Sequence, residues 1–527
     1  MARVYAILFL LFAIAASAQS TQPDPALARR IDSLLAAPEL QKNLWGVEVV
    51  SLPEGRILYQ HNSEKLMQPA SNTKLFATAA ALALIGPDYK FQTTVEAASA
   101  PDSKGRLIGD LILVGRGDPN LSARVLPFKD KTELQGSTTQ ALEELADQVV
   151  KSGVKQIDGD VIGDDTYYVW EYPDGWTRDD LQWDYGAPVS ALTVNDNSVF
   201  IDVAPGDKIG DKAAIKLDPS TDYFTINNRV LTVAVGVKKE IGIHRDPGSK
   251  SIELWGTIPI DSKTEGEELA VEDPPEFAAQ IFRMLLIKRG ISVLGQSRAR
   301  HIVASDEPAF PEPGGGAQAA QSCSTANCAP APAQAAAAVR VVLAMHESKS
   351  LYEDLRVVNK VSQNLHAELA LRLLGKLKAN NGSIAGGLSV LKGFLAQAGI
   401  QQDEYFFRDA SGLSRETLAT PGAFTKLLRY VYSQPWADKY LDTLPRSAVD
   451  GGLRERLNHD HSKEHVRAKT GFYEHVRTLA GYAQTAHGAN VAFSVMANNT
   501  LEGRHAMETI DNVVEAIVED VPEDKKK

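Results

Sequence analysis

Cysteine is almost absent: the 527 residues hold two, Cys323 and Cys328. They lie close together in an alanine- and proline-rich stretch with no histidine nearby, so a metal centre lacks ligands. A small disulfide after export or two free thiols are the readings left. Long apolar runs are scarce too. Behind Arg3, Val4 to Ala15 is too short and wrongly flanked for a membrane span, and Ala16-Ser17-Ala18 offers a cleavage site. Residues 1–18 are therefore expected to be a signal peptide cut after Ala18, with no lipid-bearing cysteine behind it. The mature chain is expected to be periplasmic or otherwise exported, with at most peripheral membrane association. Basic clusters are missing apart from the short C-terminal lysine run, and the formal net charge of -12 is dispersed. That excludes nucleic acid as a partner.

What is present is sharper. Ser71-Asn72-Thr73-Lys74 follows Pro69 at the head of an apolar segment in which Leu75, Phe76, Ala79, Leu82 and Ile85 recur at helical spacing. The spacing predicts a helix over 71–85, stopped by Gly86-Pro87. Lys74 then lies one turn from Ser71 on the same face, a nucleophile and base pair that needs no histidine. A helix start also supplies free N–H groups and partial positive charge for a developing oxyanion. A capping serine followed by a solvated lysine gives the same tetrapeptide, so more is needed.

Two further tripeptides supply it. The S-x-x-K acyl-transfer class also carries S-x-N and K-T-G, and this chain offers Ser362-Gln363-Asn364 and Lys469-Thr470-Gly471 in that order. Ser362 and Asn364 are expected in the loop before an amphipathic helix, as proton relay and amide holder. Val466 to Phe472 reads as a strand, with Gly471 leaving room for substrate to approach the backbone. Lys469 there can anchor a carboxylate. The bland alternatives are a capping serine with a turn asparagine, and a solvent-facing strand lysine.

Together with Pro69-Ala70, the block Ser190 to Asn197, Asp409-Ala410-Ser411-Gly412, Asp450-Gly451-Gly452-Leu453 and Leu479-Ala480-Gly481-Tyr482, these motifs give a specific likeness. The chain resembles the low-molecular-mass class C penicillin-binding proteins, the D-alanyl-D-alanine carboxypeptidase/endopeptidase family, over nearly its whole mature length. The resemblance implies Ser71 as acylated nucleophile, Lys74 as base, Ser362 as relay and Asn364 as amide holder. Lys469 and Thr470 would hold the terminal D-alanine carboxylate, and the N–H groups of Ser71 and Phe472 the oxyanion. Asp180, after Gly175-Trp176, matches an acidic position that receives the amine of the peptidoglycan diamino acid. The implied substrates are peptidoglycan stem peptides ending in D-Ala-D-Ala, with β-lactams as inhibitors and no metal or organic cofactor. One departure stands out: the family usually places threonine or serine after K-T-G, where this chain has Phe472. A hydroxyl contact to the carboxylate is lost there.

The resemblance also implies an α/β (α+β) fold: a discontinuous penicillin-binding-protein/β-lactamase-like transpeptidase domain, an antiparallel sheet flanked by helices, with a large insertion. Residues 19–89 and 340–527 would form the catalytic domain. Residues 90–306 would be inserted, with an α/β part at 90–197 and 259–306 and a nested β-rich module at 198–258. A Pro/Gly/Ala-rich linker occupies 307–339. The leading function is an exported serine D-Ala-D-Ala carboxypeptidase, with DD-endopeptidase activity as an extension. The rivals are an S-x-x-K β-lactamase or esterase, and a catalytically degenerate peptidoglycan-binding protein with Phe472 blocking the cleft.

Overall fold

The computed structural model describes residues 25–130, 134–304, 340–501 and 503–522. The expected signal peptide, the cysteine pair and the 307–339 linker lie outside these residues. Five strands form the sheet that carries the site: Ile57–His61, Leu44–Leu52, Asn490–Asn498, Val476–Gln484 and Val466–Tyr473, in that order and antiparallel throughout. Alternate side chains of the inner strands feed two different cores. Val47, Phe493, Val495 and Leu479 meet the Pro25–Leu35 and Gly503–Asp520 helices on one face. Ala492, Met496, Ala480 and Tyr482 meet the Lys74–Leu84 and Pro421–Tyr432 helices on the other. A sheet covered on both sides explains why these strands are apolar almost without a break. Truncating fully buried Phe493 to alanine should cost about 3–5 kcal/mol.

Between the first two strands and the last three, the chain builds a second sheet. Its order is Ser297–Arg300, Val161–Asp164, Leu111–Val114, Lys90–Ala97 and Val341–Ser350. The first three are parallel, and the last two join antiparallel. This corrects the expected boundary at 340. Val341–Ser350 pairs with Lys90–Ala97 and so completes the inserted sheet, a role its mixed apolar and charged sequence does not announce. The β-rich segment likewise runs past 258. The strand Glu265–Ala270 pairs with Ser198–Ala204, but its glutamates hide it from a search for apolar alternation. Among the described residues no helix is long and apolar enough to cross a membrane.

Candidate active site

The turn that carries Ser71 is tighter than expected. Ala70–Thr73 forms a 3-10 turn, and the α-helix proper begins at Lys74 and ends at Leu84. Ala70 adopts φ 47, the Asn72 N–H donates to Pro69 O at 3.2 Å, and the Thr73 hydroxyl donates to Ala70 O at 2.8 Å. With about three residues per 3-10 turn, positions three apart eclipse one another. Lys74 therefore reaches directly to Ser71, with Nζ 2.8 Å from Oγ.

Lys74 is fully buried and has two further partners: Asn364 Oδ1 at 2.7 Å and the Ser411 carbonyl at 2.8 Å. Both of these can only accept. A neutral amine has two N–H groups and one lone pair, so once it donates to them the lone pair faces Ser71 Oγ, the one partner with a proton to give. Burial drives the Lys74 pKa down to about 7, against the upward pull of Asp409 and Glu368. The arrangement is that of a general base available near neutral pH.

The second motif closes on the same point. The Leu351–Lys360 helix ends just before Ser362, which takes φ 69, and the next helix starts at Asn364 itself. Asn364 is thus a first-turn helical residue rather than a loop residue. Its Oδ1 accepts from Lys74, and its Nδ2 donates to Tyr185 O at 2.8 Å, leaving one amide hydrogen unused. The expected amphipathic helix is buried nearly all round: His366, Glu368 and Arg372 are as inaccessible as their leucine neighbours.

The third motif lies on the edge strand Val466–Tyr473. Lys469 Nζ donates to Ser362 Oγ at 2.8 Å and to Thr470 O at 2.7 Å. Burial first, and the neighbouring Lys74 charge second, hold its pKa well below the usual lysine range. Gly471 has a different reason from the one expected. A Cβ there would lie 2.1 Å from Thr478 Oγ1 and 2.6 Å from Pro69 O, so glycine lets the Ser71 turn seat against the strand. The Thr478 hydroxyl seals that contact by donating to Pro69 O at 2.8 Å.

Ser71, Ser362, Thr470 and Phe472 line one cleft of about 430 Å³. Phe472 is 67 % exposed, with the Arg477 guanidinium 4.1 Å from its ring centroid, so it flanks the opening rather than plugging it. Asp180 is not among the residues lining that cleft. Its Oδ2 accepts from the Thr177 N–H at 3.0 Å and the Thr177 hydroxyl at 2.6 Å, closing its own turn on the segment that also presents Tyr185.

The sequence reading missed Glu368 and Arg372, and quoted the Asp409-Ala410-Ser411-Gly412 motif without giving it a role. Glu368 Oε1 accepts the N–H groups of Ala410 and Ser411 at 2.9 and 2.8 Å, and Arg372 Nη1 reaches its other oxygen at 3.3 Å. Asp409 accepts from the Ser414 N–H at 2.7 Å, the Thr417 hydroxyl at 2.8 Å and Trp176 Nε1 at 3.1 Å. These two buried carboxylates fix the turn that aims the Ser411 carbonyl at Lys74. Gly412, at φ 76, makes the turn possible, since a Cβ would meet Ala70 O at 1.9 Å. The available signal was a Glu and an Arg at i and i+4 inside an otherwise apolar helix.

Comparison with known proteins agrees with this geometry. The D-Ala-D-Ala carboxypeptidase 3 (S13) family matches residues 27–308 and 329–519. The D-alanyl-D-alanine carboxypeptidase of Actinomadura sp. (strain R39) is 32% identical over 484 residues, which is 90% of this chain and 81% of that protein. The D-alanyl-D-alanine carboxypeptidase DacB of Haemophilus influenzae is 24% identical over 463 residues, 86% of this chain and 85% of its own length. In fold, the crystal structure of penicillin binding protein 4 from Haemophilus influenzae superposes with a TM-score of 0.73 at 23% identity. It covers 92% of this chain and 98% of that one.

Proposed function

The chain belongs to the D-Ala-D-Ala carboxypeptidase 3 (S13) family and is a serine-type D-Ala-D-Ala carboxypeptidase, and from that premise we propose how its residues divide the work. Ser71 Oγ attacks the carbonyl carbon of the penultimate D-alanine of a peptidoglycan stem peptide, and neutral Lys74 takes the hydroxyl proton. The oxyanion is received by the N–H groups of Ser71 and Phe472, the latter on an edge strand with free backbone donors. As the C–N bond breaks, a proton passes through Ser362 to the departing amine, and D-alanine leaves. Water then hydrolyses the Ser71 ester by the reverse proton path. β-Lactams acylate the same serine.

The carrying observation is the convergence of three distant motifs on two buried lysines: Lys74 Nζ at 2.7–2.8 Å from Ser71, Asn364 and Ser411, and Lys469 Nζ at 2.8 Å from Ser362. Lys469 and Thr470 bind the terminal carboxylate. Among the described residues no carboxylate accepts a hydrogen bond from Lys469, so the arriving anion supplies the counter-charge that burial withholds. Asp180 would receive the diamino-acid amine through the oxygen that Thr177 leaves free. The N-terminal run Val4 to Ala15 supports export to the periplasm or beyond, and cleavage of peptide crosslinks is the extension of the same chemistry. The test is release of free D-alanine from a pentapeptide muropeptide by the mature enzyme and by Ser71→Ala. Release that survives Ser71→Ala would defeat the assignment.

A further inference from the structure

The Ser362-Gln363-Asn364 loop is held from outside the catalytic sheet. Gln363 is fixed at both ends: its Oε1 accepts the Leu365 N–H at 2.9 Å, capping the helix, and its Nε2 donates to Asp196 Oδ2 at 3.0 Å. The same Asp196 oxygen accepts from the Arg124 guanidinium, and Asp196 Oδ1 faces His366 Nε2 at 3.1 Å. His366 Nδ1 lies 2.6 Å from Asp354 Oδ1. Carboxylates face both ring nitrogens, so both must donate and His366 is an imidazolium. Burial opposes that charge, but Asp354 and Asp196 outweigh it and raise the His366 pKa to about 9. Two anions and two cations thus balance in a quartet whose four side chains are each at most 6% accessible. Arg124 and Asp196 come from the inserted region; Asp354 and His366 come from the two helices flanking Ser362.

Asp196 is brought there by an uncommon piece of backbone. Asn195, Asp196 and Asn197 stand consecutively in the left-handed region, at φ 49, 55 and 55. Ordinary L-residues are disfavoured in that conformation, a cost eased for Asn and Asp but not removed. Side chains hold the turn: Asn197 Oδ1 accepts the Val194 N–H at 3.2 Å, Asn197 Nδ2 donates to Pro188 O at 2.8 Å, and the Ser198 hydroxyl donates to Asn195 O at 2.9 Å. A strained, fully internal turn that ends in one carboxylate on a catalytic loop is spent on that contact.

We propose that Asp196 is a positioning residue for the reaction: the left-handed turn of the inserted region clamps Gln363, and through it fixes Ser362 and Asn364 against Lys469 and Lys74. The insertion is then a structural part of the active site rather than an appendage. This rests on the Ser71 acyl-enzyme reading. Asp196 touches neither substrate nor Ser71, so its loss acts through the loop. Misplacing reacting groups by about 1 Å costs on the order of a hundredfold, and a tenfold loss is a conservative expectation.

The test compares penicillin acylation rates of the full mature chain at pH 8 for wild type, Asp196→Ala, which removes the acceptor of Gln363 Nε2, Gln363→Met and the double variant. Each single change should slow acylation by at least about tenfold, with the double no slower than the worse single by more than about threefold, because both break one link. Multiplying effects, or Gln363→Met within about twofold of wild type, would overturn the proposal. Thermal unfolding accompanies each rate. If Asp196→Ala does not fold, Gln363→Glu decides: it keeps the capping oxygen but sets a carboxylate against Asp196, and a wild-type rate would refute the clamp. Wild type that fails to acylate would overturn the Ser71 reading and this proposal with it. That outcome is distinct from normal wild-type labelling with unaffected variants.

Discussion

Lowering the pH should switch the nucleophile off by protonating its base. With a Lys74 pKa of about 7, the neutral fraction is about 0.9 at pH 8 and about 0.03 at pH 5.5, a fall of about thirtyfold. A lysine near its ordinary value, about 10.4, would lose about 300-fold over the same interval and show no plateau. Stopped-flow acylation by a chromogenic cephalosporin from pH 5.5 to 9.5 separates the two. The expected curve rises about tenfold per unit below 7 and flattens above 8. A rate still climbing between pH 8 and 9.5 would refute the depressed base, and a flat profile from 5.5 to 8 would refute lysine as the base at all. Stability carries the same signature. The folded pKa lies below the unfolded one, so the cost of burying Lys74 is absent above about pH 10.4, grows as pH falls, and levels off below about 7 near 5 kcal/mol. Lys74→Met should therefore be about 3 kcal/mol more favourable, relative to wild type, at pH 6 than at pH 9.5 in urea unfolding, while acylation is lost. Its lost hydrogen bonds to Asn364 and Ser411 shift both values equally.

Three other substitutions or titrations probe the cleft. Gly471→Ala places a methyl 2.6 Å from Pro69 O and 2.1 Å from Thr478 Oγ1, so the strand must part from the Ser71 turn; acylation should fall by about a hundredfold and stability by about 1–3 kcal/mol, and a wild-type rate would sink that contact as the reason for glycine. Phe472→Thr introduces a hydroxyl on the same strand face as Thr470 at an exposed position of the cleft, so D-alanine release should rise relative to β-lactam acylation with a melting temperature unchanged within error; an unchanged ratio would deny Phe472 a part in carboxylate binding. Burial holds the Lys469 pKa well below the usual lysine range, so binding of an acetylated D-Ala-D-Ala peptide to Ser71→Ala should raise it and take up protons within a scan from about pH 6 to about 10, as the carboxylate supplies the counter-charge. Calorimetry in buffers of different ionisation enthalpy reads this directly, and equal heats would refute it.

The antiparallel sheet was expected from the resemblance, and Ser71, Lys74, Ser362, Asn364 and Lys469 could be singled out because their motifs are short and local. What stayed hidden was set by partners far along the chain. The Val341–Ser350 strand is half exposed and mixes apolar with charged residues, and only its pairing with Lys90–Ala97 assigns it to the inserted sheet. Glu368 was not singled out in the sequence, and Asp409 was quoted only within a motif and without a role, yet both are fully buried behind Lys74. Gly471 was read as an opening for substrate, whereas the backbone it admits is the enzyme's own Pro69. Asp196 entered only as part of the Ser190 to Asn197 block, without a role, since neither its left-handed turn nor its contact with Gln363 follows from spacing.

The account stands on a covalent bond at one side chain. Mature protein treated with a penicillin, digested and mapped by mass spectrometry, should carry the adduct on the peptide holding Ser71, and Ser71→Ala should carry none. An adduct on another residue, or one that persists in Ser71→Ala, would contradict it.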